Sequence, residues 1–210
     1  MKIFDLGLID FDRALDFQKS VFLDVKNNKF SAAAILCQHY PVITMGRRSR
    51  QENILVQEPE LRNKRIEIRR IERGGDATYH GPGQAVMYPV LNLNHFRRDI
   101  HWFLRSLEEV GIKLLSEFGV SGERIPGATG VWIENKKIAS VGITVKNWIT
   151  YHGLAINIKK DDLDNFSLIR PCGMDIIMTS LESVLGREIE ISQINKILTG
   201  RLQDDKSCFA

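Results

Sequence analysis

Four glycines, a proline and a histidine fall among the twelve residues Arg73, Gly74, Gly75, Asp76, Ala77, Thr78, Tyr79, His80, Gly81, Pro82, Gly83 and Gln84. Glycine admits positive φ and close backbone approach, and proline fixes its own φ, so the segment reads as a shaped loop. A loop with few bulky side chains presents backbone N–H groups, which suit it to cradling a carbonyl, a carboxylate or a phosphate. An ordinary irregular connection has a similar composition, and the loop alone does not choose between the two.

Cys172 stands between Pro171 and Gly173, after the polar connection from Lys159 to Arg170. A thiol on a stiff, open turn is how a nucleophile is presented, although cysteine more often serves as an inert buried hydrophobe. Cys37 ends the apolar run Ala32 to Leu36 and reads as core, while Cys208 falls in a tail, 204–210, expected to be disordered. On an extended strand Lys136 and Lys137 point to opposite sides, so one can face inward. Ser140-Val141-Gly142 and His152-Gly153-Leu154-Ala155 each bring a glycine onto a strand, often a mark of close approach by a ligand or another backbone. His80 and His152 read as acid–base or hydrogen-bonding groups, or equally as satisfied structural imidazoles, the latter favoured for His152. His39, His95 and His101 show no ligand spacing, so no metal is expected.

The elements that must position these residues belong to an ordinary folded domain. A chain of 210 residues with 43% hydrophobic and 26% charged residues can bury a substantial core, read as one domain spanning 1–210. No apolar run approaches the roughly 18 residues of a membrane span, and Met1 to Asp5 lack the apolar stretch of a secretory signal. Three cysteines without metal spacing fit a reducing compartment, so the cytoplasm is the expected location. A net charge of +3 is too mild to announce a nucleic-acid binder. Between Arg47 and Arg73, however, nine basic residues stand against five acidic ones. A basic face beside the glycine loop would attract an acidic partner, though each of these residues singly reads as solvated surface.

Apolar positions Phe11, Leu15, Val21, Phe22 and Val25 predict a helix over Asp10 to Asn27. Strands are predicted at Ser31 to Cys37, Val42 to Met45, Ile66 to Ile71 and Gln84 to Leu93. A helix follows over Ile100 to Phe118, with Trp102, Phe103, Leu107, Val110, Leu114 and Leu115 on its apolar side. Gly130 to Ile133, Ile138 to Val145 and Tyr151 to Ile158 suggest an antiparallel meander turning at Glu134-Asn135. Short helices are predicted around Thr179 to Leu185 and Ile191 to Leu202. Helices fall between strands without strict alternation, which favours α+β.

Together these segments resemble the lipoyl(octanoyl) transferase family, the octanoyl–[acyl carrier protein]:protein transferases. The resemblance begins at Met45-Gly46-Arg47 and Glu52-Asn53-Ile54-Leu55 and is strongest from Arg73 to Gln84. It continues through Lys137 to Gly142 and His152 to Asn157, and ends at Pro171-Cys172-Gly173. Asp76 sits where the family varies. The resemblance implies a biotin/lipoate-ligase type of α+β fold, a single catalytic domain with a mixed, mostly antiparallel sheet, flanking helices and a substrate tunnel. It implies that Cys172 takes an octanoyl group from acyl carrier protein as a thioester, with Lys137 as its activator. The acyl group then passes to a lysine ε-amine on a lipoyl domain of a 2-oxo-acid dehydrogenase or a glycine-cleavage protein. Arg73, Gly74, Gly75, Asp76, Ala77, Thr78, Tyr79, His80, Ser140, Val141, Gly142, Gly153, Leu154 and Ala155 would bind the acyl substrate. No cofactor, nucleic acid or membrane is implied, and a monomer is expected.

Three other readings compete. An ATP-dependent lipoate ligase would share the fold, but its version of the loop tends to follow the histidine with aspartate. Here His80 is followed by Gly81-Pro82-Gly83-Gln84, and a ligase has no need of Cys172. A hydrolytic cysteine enzyme would pair Cys172 with His80 or His152. A non-catalytic module would use the basic stretch to hold acyl carrier protein or RNA.

Overall fold

The computed structural model describes residues 1–171, 176–204 and 209. Cys172 and Cys208, and most of the tail expected to be disordered, lie outside the described residues. The chain forms an α+β fold around a seven-stranded sheet in the order β1-β2-β6-β10-β9-β8-β7. Its strands are β1 (Lys2–Ile9), β2 (Ala32–His39), β6 (Gln84–Leu91), β7 (Glu123–Ile125), β8 (Ala128–Ile133), β9 (Lys136–Lys146) and β10 (Ile149–Asn157). Among the described strands of this sheet only the β1–β2 pair is parallel; the meander β8-β9-β10 is antiparallel, as its tight turns predict. A second sheet, in the order β4-β3-β5, comprises β3 (Val42–Met45), β4 (Glu67–Arg70) and β5 (Ala77–His80).

Helix α1 (Phe11–Lys26) starts where the Asp10 carboxylate accepts the N–H groups of Asp12 and Arg13. Its Val21 and Val25 pack on Ala33, Ile35, Cys37, Val86 and Tyr88, so Cys37 is core. The other face of the main sheet carries Ala34, Leu36, Met87 and Leu154. It is covered by α3 (Ile100–Ser116), through Phe103, Leu107, Leu114 and Leu115, and by the C-terminal helix α5 (Ile191–Asp204). Ser180 caps the short α4 (Leu181–Leu185), which places Thr179 outside the helix.

Four elements depart from expectation, one of them β7 (Glu123–Ile125), whose three residues are too few to show alternation. Residues 77–80 are strand, because Ala77–His80 pair residue for residue with β3. Strand β1 is interrupted at Gly7, where φ is +58° and the register with β2 shifts, a break that hides its alternation. Helix α2 (Glu58–Asn63) is too short to show a period.

Candidate active site

A cleft of about 820 Å³ opens between the two sheets. Period-two alternation separates Thr78 and His80 from Tyr79. On β5, Thr78 and His80 line the cleft. Tyr79 turns the other way into a cluster with Ile43, Leu61, Phe166 and Leu168, where its hydroxyl meets Asp162 (3.2 Å) and Asn165 (3.0 Å). Tyr79 is therefore the one described residue of the expected substrate set that does not line the cleft. Arg73, Gly74, Gly75, Asp76, Ala77, Thr78, His80, Ser140, Val141, Gly142, Gly153, Leu154 and Ala155 all do, and so does Lys137.

The glycine segment is held by backbone bonds to residues 46–48. Arg47 N–H donates to Arg73 O (3.0 Å), Arg48 N–H to Gly75 O (3.1 Å), and Gly74 N–H to Ile143 O on β9 (2.8 Å). Gly46 must be glycine here, since a Cβ would stand 2.5 Å from Gly75 O. The buried Arg73 guanidinium donates to Thr44 O (2.7 Å) and to Thr44 Oγ1 (2.9 Å). Asn53 holds both oxygens of Asp76 at 2.8 Å, and Asp76 Oδ1 also accepts Ala77 N–H at 2.7 Å. The segment is a braced wall. Its glycines divide by role: Gly81 and Gly83 leave room for Asp162, and Gly153 for the Met87 carbonyl on β6, whereas Gly75, at φ +89°, meets only Arg73 Nη1 at 3.3 Å.

Lys137 is 5% exposed while Lys136 is solvated, as alternation requires. Its Nζ lies 5.4 Å from the centroid of the Trp132 ring. Gly130, at φ +136°, makes room beneath the stem: a Cβ there would stand 2.5 Å from Lys137 Cε. Gly130 N–H donates to Glu108 Oε1 (2.9 Å) on α3, whose other oxygen accepts from Arg105 (2.7 Å) and Arg124 (3.1 Å). Lys137 is also where residues 177–179 join the sheet. Lys137 N–H donates to Ile177 O (2.8 Å), and Thr179 N–H donates to Lys137 O (2.9 Å). Pro171 and Ile176, on either side of 172–175, both line the cleft.

At the α1 side of the cleft three imidazoles cluster with Phe11 and Tyr88. Ring centroids are 5.7 Å apart for His39–His80 and 6.2 Å for Tyr88–His152. His39 Nδ1 faces the Ile9 carbonyl (3.2 Å), so that nitrogen carries the proton and Nε2 accepts from Tyr88 Oη (2.8 Å). Gln84 donates its amide N–H groups to Tyr79 O (3.1 Å) and Asn157 Oδ1 (2.9 Å), leaving its oxygen to accept from His80 Nδ1 (3.0 Å). His80 thus presents Nε2 as an acceptor. Burial lowers all three pKa values: His39 falls to about 4, and His152 to about 3 with help from the Arg73 and Lys19 charges. His80 falls well below its ordinary value, with His39 and Arg73 adding to burial. Burial holds these groups neutral at physiological pH, and His39 and His80 serve as hydrogen-bonding partners. His152 is not a satisfied structural imidazole: its Nε2 meets no partner among the described residues, and its backbone is left-handed (φ +60°).

The chain matches the model of the lipoyl protein ligase A/B catalytic domain over residues 10–203. It belongs to that family. Within it, the chain is 40% identical to an octanoyltransferase of Pelobacter propionicus over 200 residues, 95% of this chain and 92% of the relative. It is 41% identical to an octanoyltransferase of Geotalea uraniireducens over 204 residues, 97% and 92% of the two chains. The chloroplastic octanoyltransferase LIP2p2 of Arabidopsis thaliana is 47% identical over 179 residues, 81% of this chain and 62% of that one. Among solved structures, lipoate-protein ligase A bound with ATP superposes with a TM-score of 0.77 at 15% identity, covering 96% of this chain and 84% of its own. Biotin protein ligase from Aquifex aeolicus, in complex with biotin and ATP, gives 0.58 at 13%, covering 97% and 69%. These ligase likenesses establish the fold, which is the lipoate/biotin ligase type.

Several site residues carried no signal in the sequence. Trp132, Thr44, Glu108 and Tyr88 sit at ordinary apolar or surface spacings; only tertiary packing brings Trp132 and Tyr88 to the cleft and sets Thr44 against Arg73 and Glu108 against Gly130. Asn53 appeared within the Glu52-Asn53-Ile54-Leu55 motif, but its grip on Asp76 did not.

Proposed function

We propose that this acyltransferase moves an octanoyl group from the thioester of an acyl carrier protein to a lysine ε-amine of a lipoyl domain. Cys172 is the proposed nucleophile and Lys137 its partner. The observation that carries the reading is the convergence at Lys137. The lysine lines the cleft, its backbone binds residues 177 and 179, and Pro171 lines the same cleft. The residues that flank 172–175 in the chain are therefore found at that cleft, which supports Cys172 as the nucleophile.

The chemistry balances with these two groups alone. A free thiol titrates near ~8.5, so little is thiolate at neutral pH. An ammonium held beside it favours the anion; bringing the thiol to ~6.5 asks for roughly 2.7 kcal/mol, reasonable for one close cation in a partly dry site. The thiolate adds to the thioester carbonyl, the tetrahedral intermediate expels the carrier thiolate, and the lysine ammonium protonates it. The neutral lysine then accepts a proton from the attacking amine, the amide forms, and the cysteine thiolate leaves to restore the starting state. N–H groups close to the reacting carbonyl would hold its oxyanion in both steps. About six buried methylenes at ~0.8 kcal/mol each supply up to roughly 5 kcal/mol of binding between the sheets.

Because the donor is already activated, no ATP is needed. Burial and nearby positive charge lower the pKa of both cleft histidines, and residues 177 and 179 pair with the backbone of Lys137, which supports a lysine-assisted transfer over a cysteine–histidine hydrolase. The reading treats the chain as one catalytic unit and as a monomer, acting in a reducing compartment, the cytoplasm, where the thiol stays unpaired.

The test is direct. Incubation with octanoyl–acyl carrier protein should add one octanoyl group to the protein, mapped to Cys172 and absent in Cys172→Ser. An apo lipoyl domain should discharge it without ATP. Acylation from free octanoate only when ATP is present would overturn the reading in favour of a ligase.

A further inference from the structure

We propose that Arg48, Arg50 and Arg170 form the docking site for an acidic face of the protein that carries the octanoyl thioester. The inference rests on the octanoyltransferase reading and adds the surface on which its donor is recognised.

All three arginines are exposed, and all three line the cleft. They come from segments more than a hundred positions apart, joined at the backbone. Arg48 N–H donates to Gly75 O (3.1 Å), and Asn53 N–H to Arg50 O (3.1 Å). Arg170 N–H donates to Asn53 O (2.8 Å), reinforced by Leu55 N–H to Leu168 O (2.9 Å) and by an Ile54–Ile169 bridge. The mouth is therefore a fixed cationic rim that ends two positions before the proposed nucleophile.

Among the described residues two carboxylates, Glu52 and Asp76, line the cleft here, and neither cancels the charge of Arg48 and Arg50. Glu52 pairs with Arg50 at 3.3 Å, but both side chains are more than two-thirds exposed, and such pairs contribute little. Both Asp76 oxygens are engaged by Asn53 and one also by Ala77 N–H. Arginine suits the proposed partner because its planar fork binds carboxylate and phosphodiester groups alike. A carrier offers both: acidic side chains around the attachment point, and a phosphodiester at the root of the arm. A rim of one sign also steers such a partner in solution.

The experiment compares two donors that deliver the same acyl group to the same acceptor: octanoyl–acyl carrier protein, and octanoyl-pantetheine, which has neither protein nor phosphate. Arg48→Glu and Arg170→Glu should each lower kcat/KM for the carrier-bound donor by about tenfold, mainly through KM, and Arg48→Gln by less. The ratio of carrier to pantetheine efficiency should fall with it, and the deficit should shrink as salt rises. Arg62→Glu, on the exposed end of α2, should move neither donor. Equal losses with both donors would overturn the proposal by showing a structural role. A loss confined to KM for the lipoyl domain would overturn it by assigning the rim to the acceptor. Failure of the underlying reading looks different, since the unaltered protein would then transfer octanoyl from neither donor.

Discussion

Lys137 Nζ lies 5.4 Å from the centre of the Trp132 ring, and the two residues are cross-strand partners on β8 and β9. An ammonium over an indole face gains about 0.5–2 kcal/mol, more as water is excluded, and Trp132 is buried. The indole Nε1–H is fixed by the Ala128 carbonyl at 3.0 Å, so the ring is a held surface. The lysine proposed as catalytic has four rotatable bonds, and this seat helps to confine them.

Trp132→Leu keeps the apolar burial and removes the ring. Transfer from octanoyl–acyl carrier protein should slow by about fivefold in kcat, the equivalent of ~1 kcal/mol. Trp132→Phe, which keeps a weaker π face, should lose less. Identical rates for the leucine and phenylalanine variants, both folded by circular dichroism, would show that the ring does not seat the ammonium.

Gly130→Ala attacks the same seat from below. The added Cβ would stand 2.5 Å from both Lys137 Cε and Ala139 O, at a φ of +136° that alanine disfavours. The variant should lose about 1–3 kcal/mol of stability in urea unfolding. At temperatures where it remains folded it should also fail to acylate Cys172, because the lysine stem is displaced.

Period and punctuation made much of this legible beforehand. The helix over Phe11–Lys26 and the meander of β8, β9 and β10 carry strong periods, and Lys137 faces inward where Lys136 does not, as alternation demands. The strand at Ala77–His80 was hidden because its pairing with β3 is a tertiary event and glycines border it on both sides. Its discovery explains Tyr79, which alternation sends away from the cleft. The imidazole cluster was equally hidden: His39 and His152 come from two strands of the main sheet and His80 from the second sheet, and only the packing of the two sheets makes them neighbours.

Two glycines of the cleft should respond differently. Gly75→Val places a branched side chain against Arg73 on the cleft wall at a φ of +89° that valine disfavours, so it should lose stability and, at temperatures where it remains folded, also weaken octanoyl transfer. Gly153→Ala instead drives a methyl into the Met87 carbonyl and to 2.8 Å from Pro89 Cδ, so it should cost about 1–3 kcal/mol of stability. Thermal unfolding and transfer assays on the pair separate the roles. Unchanged transfer by folded Gly75→Val would remove Gly75 from the acyl path.

Acid should destabilise the fold through its buried imidazoles. Their folded pKa values, about 4 for His39 and about 3 for His152, lie below the ordinary 6.5. Below 6.5 the unfolded chain therefore takes up protons that the folded chain refuses. Stability is fully present above about pH 6.5 and is lost as pH falls toward 4 and then 3. Each neutral buried imidazole contributes a slope of about 1.4 kcal/mol per pH unit in that window. Urea unfolding at about pH 7 and about pH 5 should show the loss, and His152→Gln should flatten the slope by one proton. A slope unaltered in that variant would mean that His152 titrates alike in the folded and unfolded chains, and its orphaned Nε2 would then have to be hydrated.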